Sequence, residues 1–128
     1  MALGSRLRRL GSDECGGTAI ELGLTLPIFG MLLFGAIGAS QMLGALNGMH
    51  FAVEEAARCA AVNTTTCANA SATVSYAQGR YQGPNISPTF TTTTAACGKR
   101  VNATASFALS IAVRTLSVPL AAQACYPA

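Results

Sequence analysis

Gly16-Gly17-Thr18-Ala19-Ile20-Glu21-Leu22-Gly23-Leu24-Thr25-Leu26-Pro27-Ile28-Phe29-Gly30-Met31-Leu32-Leu33-Phe34-Gly35 opens a segment with no charged side chain from Leu22 to Met49. A hydrocarbon core about 30 Å thick needs about 20 apolar residues in a helix. The stretch from Leu22 to about Leu46 meets that length with residues to spare. Too few residues follow Val62 to enclose so long an apolar rod, so lipid is its expected surroundings. An ordinary secretory signal would have a shorter apolar stretch that ends in a small-residue cleavage site. Here the small-residue signal, Cys15-Gly16-Gly17, comes before the apolar stretch instead.

Working outward, the flanks set an orientation. Arg6, Arg8 and Arg9 precede the span, and His50, Glu54 and Glu55 open its far side. The positive-inside rule then expects the N-terminus in the cytoplasm and residues 50–128 outside. The whole chain has 128 residues, of which 51% are hydrophobic and only 10% charged, with no Trp and one His. Soluble domains are typically about a quarter charged. A net charge of +3, spread along the chain with 6% aromatics, gives no basic, stacking surface for nucleic acid.

A short basic leader ends in Gly16, four residues follow, and Glu21 stands alone at the head of the apolar helix. Glycine before a scissile bond lets the backbone extend into a peptidase cleft without a side-chain clash. A carboxylate in an apolar helix is costly and marks a functional position. This design resembles type IV prepilin-like proteins, and residues 16–35 are similar to the opening of the TadE-like pseudopilins of tight-adherence (Flp) pilus systems. The matching positions are Gly16, Glu21, Leu24, Leu26, Pro27 and the run from Ile28 to Phe34. The Ala/Arg-rich helix end Glu54-Glu55-Ala56-Ala57-Arg58-Cys59-Ala60-Ala61 also fits, whereas Leu22 stands where the family usually has an aromatic.

The resemblance implies a leader of residues 1–16 removed by a membrane prepilin peptidase. Gly16 and Gly17 are both possible cleavage positions, and cleavage after Gly16 makes Glu21 the fifth mature residue and the registration contact between subunits. It implies a bacterial inner-membrane protein with a cytoplasmic N-terminus and a periplasmic head, or a place at the cell surface once in a pilus. Partners would be the peptidase, other pilus and pseudopilin subunits and the inner membrane, with no nucleic acid and no cofactor. The alternative, from a different class, is an unprocessed single-pass anchor whose extracytoplasmic head binds a surface or glycan.

Within the span, Pro27 lacks an N–H and leaves the Gly23 carbonyl without its helical donor. A kink near residues 23–27 is expected, with Thr25 or a neighbouring helix re-satisfying the carbonyl. Ala36, Ser40, Gly44 and Gly48 recur every four residues, a small-residue stripe that favours close helix–helix packing. Ala45 to Val62 has good helix formers, and Glu54 and Arg58 form a favourable i, i+4 pair. A helix from Thr18 to Val62 is about 68 Å long at 1.5 Å per residue. Asn63-Thr64-Thr65-Thr66 ends it. The expected domains are therefore the leader 1–16, the helix 17–62 and a β-rich head 63–128. The fold class is α+β and, by resemblance, pilin-like.

In the head, Thr89-Phe90-Thr91-Thr92-Thr93-Thr94 has strand chemistry. Val101–Phe107 and Ile111–Val118 alternate and predict an antiparallel hairpin. Ala72 to Tyr81 predicts a short helix packed on that sheet. Cys15 falls in the leader, which leaves Cys59, Cys67, Cys97 and Cys125 as two disulfides in an extracytoplasmic segment. Of three connectivities, Cys97–Cys125 follows from equal distance to a turn near Ile111, and Cys59–Cys67 then closes a short loop. No close ligand pair such as CxxC supports a metal. Sequons stand at Asn63, Asn69, Asn85 and Asn102. One His, no acidic pair in the head and no nucleophile or phosphate-binding motif leave no catalytic constellation, so an enzyme is not expected.

Overall fold

A computed structural model describes residues 15–111 and 114–127 of the chain. The leader with Arg6, Arg8 and Arg9 therefore lies outside the described residues up to residue 14. In chain order the elements are α1 (Cys15–Val62), α2 (Ala70–Arg80), β1 (Thr89–Ala95), β2 (Gly98–Ile111) and β3 (Arg114–Tyr126). The architecture is α+β: a long apolar N-terminal helix and a small antiparallel sheet with two disulfides. Two compact units divide the chain, Met1–Ala36 and Ile37–Ala128. The second unit begins inside α1 and takes in the later part of that helix.

In the first unit the helix is apolar on every side. Leu24, Leu26, Ile28, Phe29, Met31 and Leu32 are all more than three-fifths exposed. Such a helix cannot satisfy its surface in water and suits a bilayer. Among the described residues, Gly17–Val62 is the one helix long and apolar enough to cross a membrane, and its most apolar stretch is unburied.

In the second unit α1 becomes one-sided. Ala45, Met49, Ala52, Val53, Ala56 and Ala57 are buried at three- and four-residue spacing, the period of a single helix face. They share a core with Ala77 of α2, Phe90 of β1, Val101, Ala103 and Phe107 of β2, and Leu120 and Ala122 of β3. The strand contributions follow the two-residue period of a sheet with one face covered. The opposite face carries Thr91, Thr93, Asn102, Thr104, Ser106 and Gln123, which are small or polar.

The sheet order is β1-β2-β3. β1 pairs with β2 from Thr89↔Thr104 to Ala95↔Gly98, and β2 pairs with β3 from Lys99↔Tyr126 to Ile111↔Arg114. The predicted hairpin is present, but Ile111, expected to open the second strand, ends β2, and β3 runs from Arg114 to Tyr126. β3 runs on through Pro119, which an edge strand tolerates because its missing N–H is not needed by a second neighbour. The tight β1–β2 turn places Gly98 at φ +119, a conformation that a β-carbon would strain.

Local hydrogen bonds explain where the helices stop and start. Asn63 Oδ1 accepts from the Thr65 and Thr66 amides at 3.2 and 3.0 Å, folding the chain away after Val62. Asn69 is the N-cap of α2, and its Oδ1 accepts from the Ala72 amide at 2.8 Å. Cys59–Cys67 (Cα–Cα 5.8 Å) ties the end of α1 to this connection. Cys97–Cys125 (Cα–Cα 6.2 Å) joins the β1–β2 turn to the end of β3. After α2, the Tyr81 hydroxyl donates to the Pro84 carbonyl at 2.7 Å, as does the Ile86 amide at 2.8 Å. Burial pushes the Tyr81 phenol above its ordinary pKa.

Candidate functional site

The residues singled out by the sequence lie along α1. Gly16 and Gly17 are helical and lie among the first described residues of α1. A β-carbon at Gly17 would meet nothing within 4 Å, so this turn is unobstructed. Each glycine costs a helix interior about 1 kcal/mol relative to alanine. The Gly-Gly pair is thus a stretch of α1 with low intrinsic helix propensity.

Glu21 lies one turn after Gly17 and its side chain is exposed. The Thr25 hydroxyl donates to the Glu21 carbonyl at 2.9 Å and approaches the Leu22 carbonyl at 3.3 Å. Thr25 therefore does not serve the Gly23 carbonyl that Pro27 leaves without its helical donor. The reason is geometric: a threonine in a helix reaches the carbonyls three and four residues back, and Gly23 is only two back. The helix is nevertheless continuous through Pro27.

The small-residue stripe divides. Four-residue steps advance about 40° around a helix with 3.6 residues per turn, so such a stripe winds. Ala36, Ser40 and Gly44 are exposed, and the Ser40 hydroxyl is satisfied by the Ile37 carbonyl at 2.8 Å. Gly48 is buried, and a β-carbon there would collide with the Gln82 carbonyl and crowd the Tyr81 ring at 3.2 Å. Its smallness serves a contact within the chain, and of the stripe only Ala36, Ser40 and Gly44 remain exposed.

A second close approach went unread in the sequence. A β-carbon at Gly38 would lie 2.7 Å from Leu109 Cδ1, so the end of β2 packs against α1 there. The signal was present, a glycine inside a leucine-rich run, but glycines are frequent in this span and the position could not be told from its neighbours. Glu54, Glu55 and Arg58 line a surface depression with Ala124, Cys125 and Tyr126. Arg80 instead sits over the Tyr76 ring, 5.0 Å from its centroid. Among the described residues, no group of three or more His, Cys, Asp or Glu is placed to hold a metal ion.

Two of the sequons have a structural reading. Thr65 Oγ1 donates to Asn63 Oδ1 at 2.7 Å, and Ser71 Oγ donates to Asn69 Oδ1 at 2.8 Å. Asn followed two residues later by Ser or Thr is here the chemistry of a turn and of a helix cap.

Comparison with known proteins bears on the helix. Searches of curated proteins and of solved structures return no match. The family model described as TadE-like protein matches residues 16–58, beginning at Gly16 and ending within the buried part of α1. This segment contains Gly16, Gly17, Glu21, Pro27 and the whole small-residue stripe. Over residues 16–58 the chain is therefore similar to the TadE-like family, and the match covers its helical segment.

Proposed function

We propose that the chain is a minor pilin of a tight-adherence type IV pilus, processed by a prepilin peptidase and active in pilus assembly. The family match links the chain to tight-adherence pilus systems. The observation that carries the finer reading is the spacing from Gly16 to Glu21, at the start of a helix that is apolar on all sides. Cleavage after Gly16 frees an α-amino group at Gly17. The Glu21 carboxylate of an adjacent subunit pairs with that amine and sets the axial register, because an unpaired carboxylate among apolar helices is costly. The exposed stripe Ala36-Ser40-Gly44 gives neighbouring helices a surface for close approach. The membrane in question is the bacterial inner membrane, with residues 50–128 on the periplasmic side before assembly.

Intact mass and N-terminal sequencing of membrane-extracted protein test this reading. A mature chain beginning at Gly17 is expected, with the loss abolished by Gly16→Ala. Retention of Met1 in otherwise functional membranes would instead favour an unprocessed anchor carrying a binding head. Glu21→Val should leave cleavage intact and reduce piliation, and normal piliation in that variant would remove the registration role.

A further inference from the structure

The two disulfides differ in what surrounds them. Cys59 and Cys67 are buried, at 8% and 5% exposure, so an external thiol reaches that bridge only after local unfolding. Cys97 is exposed and Cys125 half-buried, which leaves the second bridge open to solvent. Arg100 stands directly opposite Cys125 in the ladder, and its guanidinium Nη2 donates to Cys97 Sγ at 3.7 Å. Residues 56–128 contain no Asp or Glu, so no carboxylate in that stretch competes for this guanidinium.

The other charges nearby lie beside Cys125. Glu54, Glu55 and Arg58 of α1 line a depression with Ala124, Cys125 and Tyr126. Two carboxylates and one guanidinium leave that depression net negative. Lys99 is engaged elsewhere, its Nζ donating to Thr94 Oγ1 at 3.3 Å. A thiolate that opens a disulfide puts negative charge on the departing sulfur, and exchange is faster when that sulfur belongs to the more acidic thiol. A guanidinium beside a thiol lowers its pKa. Cys97 is therefore the better leaving sulfur of the pair, although it is also the more exposed one.

We propose that the Cys97–Cys125 bridge is a thiol-exchange site, at which an external thiolate bonds to Cys125 and Cys97 leaves as a thiolate held by Arg100. The incoming sulfur's electron pair forms the new bond to Cys125 Sγ. The Cys97–Cys125 bond breaks, and its electron pair stays on Cys97. Cys97 is reduced to the thiolate, the incoming thiolate is oxidised into the mixed disulfide, and no further reductant or proton is needed. In reverse, the Cys97 thiolate attacks Cys125 Sγ of the mixed disulfide, expels the external thiolate and restores the bridge. Cys97 is thus the resolving thiol, Cys125 the sulfur that joins the partner, and Arg100 a positioning residue. Opening frees the β1–β2 turn from the end of β3, while Cys59–Cys67 still ties the end of α1. The site stands independently of the pilus reading.

The wild-type full chain in detergent micelles would be incubated with reduced glutathione, quenched in acid, alkylated with N-ethylmaleimide and mapped by mass. Tryptic cleavage after Lys99, Arg100 and Arg114 puts Cys97 and Cys125 on different peptides. Glutathione on Cys125 with alkylated Cys97, and Cys59–Cys67 intact, supports the proposal. Glutathione on Cys97, equal amounts on both sulfurs, earlier opening of Cys59–Cys67, or no exchange at either bridge would each overturn it. Arg100→Gln should slow the opening about threefold, because a leaving pKa about one unit higher acts through a Brønsted coefficient of about one half. The same variant should spread glutathione over both sulfurs, whereas Arg100→Lys should keep the preference for Cys125. An unchanged rate and map in Arg100→Gln would remove the guanidinium from the step and overturn the proposal.

Discussion

The two parts of α1 solve the same problem in opposite ways. Before Ile37 the largest apolar side chains point outward, with Phe34 78% exposed and Met31 70% exposed. After Ile37 the buried face is mostly alanine: Ala45, Ala52 and Ala56 are fully buried, while the larger Leu43 and Phe51 are about half exposed. A soluble helix normally buries its large residues. Here alanines make up most of the inward face, beside Met49 and Val53, because the sheet approaches the helix closely, while Leu43 and Phe51 remain largely outside. One uninterrupted helix therefore belongs to two environments, and sequence hydrophobicity alone does not separate them.

Substituting the same residue in both parts gives the sharpest test of this contrast. Met49 is fully buried, and Met49→Ala should cost about 4 kcal/mol, within the usual range for large buried side chains. Met31→Ala should change the stability of the head by less than about 0.5 kcal/mol, as for other exposed positions. Guanidinium unfolding in micelles, followed by the circular dichroism of the sheet, measures both. Equal losses would mean that the two parts are not distinct.

The disulfides provide the next test, since both lie in the second unit. Closing a loop stabilises by an amount that grows with its length. With a sequence separation of 28, Cys97–Cys125 should contribute about 3.6 kcal/mol, and with a separation of 8, Cys59–Cys67 about 2.5 kcal/mol. The paired Cys→Ser variants should show that order in denaturant midpoint, while membrane extraction of the chain should be unaffected.

Glycines on α1 should respond according to what they touch. Gly44 faces open space, and Gly44→Ala should stabilise the helix by up to about 1 kcal/mol. Gly48→Ala forces the Gln82 carbonyl away and should cost about 1–3 kcal/mol, as overpacking does. If Gly48→Ala were neutral in unfolding but impaired assembly, the glycine would belong to the helix–helix surface after all.

The sequence made some of this legible and concealed the rest for identifiable reasons. The apolar span, the stop at Asn63 and the hairpin each have a local signature of charge, capping or alternation, and each is present. Cys97 and Cys125 could be paired because the hairpin register carries their neighbours together. That residues after Ile37 of α1 pack with the sheet was not readable, because alanines and glycines facing a sheet look the same as those facing a neighbouring helix. Pro119 obscured the length of β3, since a proline normally argues against a strand and only the edge position permits it. At the site, the spacing of Gly16 and Glu21 is a one-dimensional signal and survives translation into structure. Gly38 and Leu109 are 71 residues apart in sequence, and their contact depends on the complete fold.

The smallest effect lies at the start of α2, a cap in which Asn69 Oδ1 holds the Ala72 amide and the Ser71 hydroxyl at 2.8 Å each. Asn69→Ala should cost about 1 kcal/mol, measured by the same unfolding experiment. Asn69→Asp keeps the accepting oxygen but destroys the sequon, and it should restore most of that loss. Recovery with Asp shows that the asparagine is there to start a helix. If Asp and Ala were equally destabilising, the acceptor geometry would not be what fixes α2, and the boundary between the stapled connection and the helix would have to be set by Cys67 alone.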